Sequence, residues 1–228
     1  MTWIKICGIT NLEDAQTAVD AGADALGFIF HEKSPRRVDL EKVRDIVAAL
    51  PPTVEKIGVF AFEDSEKAQQ IAKQAGLTGL QIHLEPHPSG ELRQASAECA
   101  TVNFYPAMPA AWFLGDGAVD PGLASFVEAR PGRPFNTILL DSGTPEQPGG
   151  TGKTFDWTRT ASVIENLSTG LNIIAAGGLG PGNVTEAIRI LKPWGVDVSS
   201  GVEETPGKKD QHKVRAFVEA VRQADKKN

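Results

Sequence analysis

The chain has 228 residues, 41% hydrophobic and 23% charged, a composition ordinary for a globular protein with a full core. A net charge of −6 and a pI near 5.3 argue against a nucleic-acid surface, while leaving room for a local cationic pocket. The two cysteines, Cys7 and Cys99, form no C-x-x-C and no disulfide framework, and no run approaches the ~18 apolar residues of a membrane span, so a cytoplasmic protein is expected.

Short apolar, β-branched runs recur along the chain. They are "WIKIC" (3–7), "ALGFIF" (25–30), "VEKIGVF" (54–60), "GLQIH" (79–83), "TVNFY" (101–105), "TILLD" (137–141), "NIIAA" (172–176) and "GVDVS" (195–199). Most are nearly continuous in hydrophobicity, as strands buried on both faces are. Helical patterns alternate with them. "NLEDAQTAVDAG" has an Asn cap, acids in its first turn and a Gly stop; "DLEKVRDIVAAL" ends before Pro51-Pro52; "DSEKAQQIAKQAG" ends on Gly. "GPGNVTEAIRILK" and "KDQHKVRAFVEAVRQ" complete the stronger cases, whereas the helices after strands four, five and six have no clear pattern.

Eight strand signals alternating with helices predict an α/β fold, a (β/α)8 TIM barrel forming a single domain over 1–228, with an open doubly wound sheet as the alternative. Segment 107–134 is rich in Pro and Gly and reads as an elaborated fifth β/α unit.

The stretch "PGGTGKTFDW" (148–157) imitates a phosphate-binding P-loop, but that loop needs a glycine at the position held by Gln147. It also needs a strand directly before it, and the nearest apolar run ends at Asp141. A nucleotide-hydrolysing protein is therefore not indicated.

In a barrel, function sits at the C-terminal ends of the strands and in the loops that follow. Gly177 and Gly178 follow strand seven; Ser200 and Gly201 follow strand eight. Glycines in either loop alone would simply turn the chain, but both together in the last two units predict a phosphate site built from backbone N–H groups. Cys7 ends strand one before "GIT". It is either a small buried hydrophobe or a thiolate acting as nucleophile or base, and the latter requires help with ionisation. Asp141 follows "ILL" and is either a loop cap or a carboxylic acid held protonated by apolar surroundings. Arg36 in "SPRR" offers a fork for a carboxylate or a solvated charge, and His83 is a substrate contact or a satisfied strand-end histidine. No His, Asp or Cys cluster has metal-ligand spacing, so no metal is expected.

Taken together, "KICGIT" (5–10), "GADALGFIF" (22–30), "SPR" (34–36), "LQIH" (80–83), "GGTGKTFDW" (149–157), "AGGL" (176–179) and "VDVSSGVE" with "PGKKD" resemble the phosphoribosylanthranilate isomerase family over nearly the whole chain. The resemblance implies a cofactor-independent Amadori rearrangement, the third step from chorismate to L-tryptophan. In it N-(5-phosphoribosyl)anthranilate, an aminoaldose, becomes 1-(2-carboxyphenylamino)-1-deoxyribulose 5-phosphate. It further implies Asp141 as general acid, Cys7 as general base, Arg36 on the anthranilate carboxylate, and phosphate at Gly177, Gly178, Ser200 and Gly201. The implied partner is a small phosphorylated substrate, with no nucleic acid or membrane, in a monomer or homodimer. A related barrel isomerase of histidine biosynthesis uses aspartates at both acid and base positions, and Cys7 separates the two. The family usually has glycine after the strand-four histidine; Leu84 stands there instead.

Overall fold

Eight parallel strands close on one another in chain order: β1 (Trp3–Cys7), β2 (Ala25–Ile29), β3 (Glu55–Ala61), β4 (Gly79–His83), β5 (Asn103–Pro109), β6 (Thr137–Asp141), β7 (Asn172–Ala175) and β8 (Gly195–Val198), with β8 pairing back to β1. This is the (β/α)8 barrel expected, and closure leaves no edge strand exposed. The computed structural model describes residues 1–61, 65–84, 102–114, 123, 126–127, 135–143, 154–166 and 170–226. Around the barrel lie α1 (Leu12–Ala21), α2 (Leu40–Ala48), α3 (Ser65–Ala75), α4 (Trp157–Asn166), α5 (Val184–Leu191) and α6 (Gln211–Asp225). Among the described residues, no helix is long and apolar enough to cross a membrane.

Local chemistry sets the helix ends. The Asn11 side chain accepts from the Asp14 N–H at 2.8 Å to start α1, and Gly22, at φ +97°, ends it in the left-handed region. Asp210 accepts from the N–H groups of His212 and Lys213 to start α6.

Strand parity divides the core. Ile4, Ile6, Leu80, Ile82, Ile138, Leu140, Val196 and Val198 are buried in the large core that the helices share. Alternate residues turn inward, where Ala25, Ile57, Tyr105, Ala107, Leu139, Ile174 and Ala176 form a smaller second core. Three polar residues, Lys5, Gln81 and Asp197, share this inward parity and are also buried.

Two expectations shift. Strand five runs to Pro109 rather than ending at Tyr105, because barrel closure pairs it along its length despite two prolines, Pro106 and Pro109. The fifth unit expected over 107–134 accordingly starts later: 107–109 are strand, and Ala110–Phe113 form a 3-10 turn. Beyond it, Leu123 and Val127 are buried in the core, and the remainder of the segment from 115 to 134, Phe126 excepted, lies outside the described residues. So do Cys99, Gln147 and 148–153; Thr154 to Asp156 lead into α4, a helix without a clear sequence signal. Leu84, just past the end of β4, is buried in the core, and its N–H bonds the Ala107 carbonyl at 2.8 Å.

Candidate active site

Cys7 and Asp141 close their strands at the same end of the barrel, facing across its mouth from β1 and β6. Each is the last inward residue of its strand, and both are buried. The chain leaves Cys7 through Gly8, at φ +76°, whose N–H bonds the Gly27 carbonyl at 2.9 Å. A Cβ on Gly8 would stand 2.7 Å from Arg36 Cδ and 2.9 Å from Ser199 Oγ. Glycine is required there for conformation and for space, and its bareness lets the stem of Arg36 lie across the exit from β1.

Arg36 does not reach into solvent. Its Nε and Nη2 bond the Glu203 carboxylate, each at 2.8 Å, and Glu203 also takes Lys209 Nζ at 3.0 Å. Glu203 and Lys209 come from a small hairpin, β9 (Glu203–Thr205) and β10 (Lys208–Lys209), turned at Pro206-Gly207 with Gly207 at φ +84°. The hairpin is fastened to the start of the chain: Thr10 Oγ1 bonds the Gly207 carbonyl, and Asp14 accepts the Lys209 N–H at 2.8 Å. Burial alone would push the Glu203 carboxyl up, but Arg36 and Lys209 outweigh it and hold it below its ordinary value. Two cations on one carboxylate leave positive charge at the mouth, and the Nη1 side of the Arg36 fork is not used by Glu203. Glu203 and Lys209 escaped the sequence reading. Charged residues in a Pro-Gly loop look like solvated surface until the hairpin folds them inward.

The residues expected to bind phosphate converge beside this triad. Gly177 and Gly178 have φ of +78° and +64°, and a Cβ on Gly177 would overlap Ser142. Asn183 latches that loop, accepting the Gly180 N–H at 2.8 Å and donating to the Gly178 carbonyl at 2.9 Å. Gly201 lies so close to the Leu179 carbonyl that a Cβ would overlap it, which locks the loop after β8 against the loop after β7. Ser200 and Gly201 open a 3-10 turn, so their N–H groups have no partner within that turn. Two glycine-bearing loops pressed together, with N–H groups of this kind and α5 beginning at Val184, suit an anion.

Electrostatics distinguish the two strand-end groups. Burial pushes the Asp141 carboxyl up to about 6; the Gly143 N–H, donating to it at 2.7 Å, pulls the other way, as does Lys5, while Asp197 adds to the rise. Burial likewise pushes the Cys7 thiol above its ordinary value, with Lys5 the strongest opposing charge, Asp197 adding to the rise and Lys209 opposing it. His83, half-buried at the end of β4, is pushed down to about 4 by burial, then by Lys5 and His31, and is neutral at physiological pH. Gln81 connects it to the interior. Its Oε1 accepts from Lys5 Nζ at 2.9 Å, so its Nε2, 3.2 Å from His83 Nε2, donates and places the imidazole proton on Nδ1. The sequence signal for Lys5, Gln81 and Asp197 was present in "IKI", "LQI" and "VDV", where a polar residue interrupts a buried strand, but the hydrophobic reading passed over it. Among the described residues, no group of three or more His, Cys, Asp or Glu converges as a metal site.

The N-(5'-phosphoribosyl)anthranilate isomerase family profile matches residues 4–220. A protein of that name from Desulforudis audaxviator is 43% identical over 98% of this chain and 100% of its own. The solved phosphoribosyl anthranilate isomerase of Thermotoga maritima is 37% identical, covering 98% of this chain and 100% of its own, with a TM-score of 0.78. A solved phosphoribosyl anthranilate isomerase in complex with reduced 1-(o-carboxyphenylamino)-1-deoxyribulose 5-phosphate is 34% identical, with coverage of 98% and 100% and a TM-score of 0.75.

Proposed function

The chain belongs to the phosphoribosylanthranilate isomerase family, and from that premise we propose that Asp141 and Cys7 carry its acid and base chemistry. The reaction is the Amadori rearrangement of N-(5-phosphoribosyl)anthranilate in tryptophan biosynthesis, an aldose–ketose isomerisation. Asp141 gives its proton to the furanose ring oxygen; the C1–O bond breaks and the nitrogen lone pair forms an iminium. The Cys7 thiolate then removes the C2 proton, whose acidity the iminium raises, and the C2–H electrons form the enolamine, which tautomerises to the ketone. Arg36, held by Glu203, presents its remaining N–H groups to the anthranilate carboxylate. The backbone around Gly177, Gly178, Ser200 and Gly201 receives the phosphate, and His83 is a neutral contact at the rim.

The observation that carries this assignment is the raised Asp141 carboxyl at a strand end, opposite a buried thiol, with a cationic triad and a glycine-built anion site at the same mouth. A ring oxygen needs a donor that keeps its proton near neutrality, and an ordinary surface aspartate does not. The substrate's two anionic ends match the two anion-binding regions at the same mouth as the acid and base. Membership of this family supports a cytoplasmic enzyme, and sedimentation separates a monomer from a homodimer.

Purified protein should consume fluorescent phosphoribosylanthranilate without added metal or nucleotide. Cys7→Ala and Asp141→Asn should each lose at least about a hundredfold in turnover while keeping a native circular dichroism spectrum. Near-parental turnover in either variant removes the role given to that residue. Failure of the soluble, folded protein to restore growth to a tryptophan auxotroph lacking this step would overturn the assignment of activity.

A further inference from the structure

Lys5 is the largest side chain buried in the barrel whose presence hydrophobic packing does not explain. It is 1% exposed, yet it carries an ammonium on the central axis of a strand that otherwise reads as apolar. The site beneath the mouth is built for it. Lys5 pairs directly with Asp197 across the β1–β8 register, and its Nζ lies 3.0 Å from Asp197 Oδ1 and 2.9 Å from Gln81 Oε1. Two of the three ammonium N–H groups are thus fixed by neighbours on β8 and β4.

The space for the third is set by Gly27 on β2. A Cβ there would stand 2.7 Å from Cys7 Sγ and 3.0 Å from Lys5 Cε, so one bare glycine makes room for both side chains on the same side of the barrel wall. Lys5 and Cys7 are two residues apart on one strand and point the same way. A side chain at position 27 would crowd both.

Building on the assignment of Cys7 as base, we propose that Lys5 is a positioning residue that holds the Cys7 thiolate. Its third N–H is the one left to serve Sγ, and Asp197 and Gln81 fix the ammonium in place. A thiol this deep has no water to stabilise its anion, so a protein cation must do so. The charged and titratable groups around Cys7 are Lys5 below it, Asp197 from β8, Lys209 from β10, Arg36 from the loop after β2, and Asp141 and His83 across the mouth. Among these, Lys5 exerts the largest pull toward the thiolate, and Asp197 opposes it. The same ammonium also acts on Asp141 and His83, which makes it a charge common to all three mouth groups. Asp197 therefore has two opposed effects: it keeps Lys5 charged and in place, and it repels the thiolate that Lys5 stabilises.

Two variants separate these effects, each in a Cys99→Ser background so that Cys7 is the sole thiol. Thiolate absorbance and alkylation by iodoacetamide are followed against pH, with no turnover required. Lys5→Met with Asp197→Asn removes both charges and leaves a neutral pair of similar shape, a change that buried ion pairs often tolerate. Its thiol should titrate at least about one unit higher, cutting the thiolate fraction about tenfold at fixed pH, and kcat should fall about tenfold with KM moving less than about twofold. Asp197→Asn alone leaves a buried ammonium whose nearest remaining counter-ion is Cys7, so its thiol should titrate lower. Water entering a damaged site would lower the thiol in both variants, so opposite signs exclude that cause. Shifts in the same direction, or a thiol unmoved in either soluble variant, overturn the proposal; should the double variant fail to fold, Lys5→Gln with Asp197→Asn takes its place with the same expected sign. Parental activity in Cys7→Ala would instead refute the base assignment and leave the Lys5–Cys7 coupling standing.

Discussion

Varying pH perturbs the two strand-end groups in a way the structure quantifies. The proposed mechanism needs Asp141 protonated and Cys7 ionised in the same molecule. With its carboxyl at about 6, Asp141 is protonated in roughly one molecule in ten at pH 7. The Cys7 thiol lies above its ordinary 9.0, so fewer than about one in a hundred is ionised at that pH. Their product places the competent form of the free enzyme at about one in a thousand or below, with the acid titrating below the base. Between the two titrations the losses cancel: each rise of one unit costs tenfold in protonated Asp141 and gains tenfold in thiolate. The plot of kcat/KM should therefore be flat from about pH 6 to above 9, falling tenfold per unit on either side. Stopped-flow loss of substrate fluorescence across this range measures it. Since the profile reports the pair, the limbs are assigned by variants: Asp141→Asn should remove the alkaline fall, and thiol alkylation should follow the alkaline titration. A kcat/KM that climbs tenfold per unit straight through neutrality would show that protonated Asp141 is not needed. One that falls tenfold per unit from pH 6 to 8 would show that the thiolate is not needed.

Asp141→Asn should also stabilise the fold. Raising the carboxyl from 3.8 to about 6 costs roughly 3 kcal/mol once both states are ionised, so the variant should melt several degrees higher at pH 7. Because the folded value is raised, that gain should disappear as pH falls below the unfolded value, and an equal gain at pH 3 would contradict it. Glu203→Gln leaves Arg36 and Lys209 facing each other without their shared anion; a loss of about 3 kcal/mol by urea unfolding and a KM raised about tenfold with kcat little changed are expected. Because Glu203 is held below its ordinary value, its contribution is complete above that value and lost as pH falls, so the variant should lose less stability on acidification than the parent. Gly177→Ala puts a methyl group into Ser142 at positive φ; a stability loss of about 2–4 kcal/mol and weakened competition by inorganic phosphate are expected, and unchanged phosphate inhibition would remove this loop from the phosphate site.

Much of this was legible in the chain. Eight apolar runs between capped amphipathic segments read as a barrel because strands covered on both faces must be apolar, and caps such as Asn11 and Gly22 act within a turn of their own position. The barrel rule then brought Cys7, Asp141, Arg36 and His83 to one face from their places at strand ends. Strand five and α4 were less legible: prolines and a Gly/Thr-rich lead argue locally against structure that closure of the barrel imposes. What only the tertiary structure decided was which charges meet. Lys5 and Asp197 are 192 residues apart and Arg36 and Glu203 are 167, and no local pattern pairs them; they meet because β8 closes against β1 and a hairpin folds back over the exit from that strand. The sequence by itself determined which residue types stand at the mouth of the barrel. Burial and long-range charge, which exist only after closure, decided that the Asp141 carboxyl is raised and that Cys7 lies beside a buried ammonium.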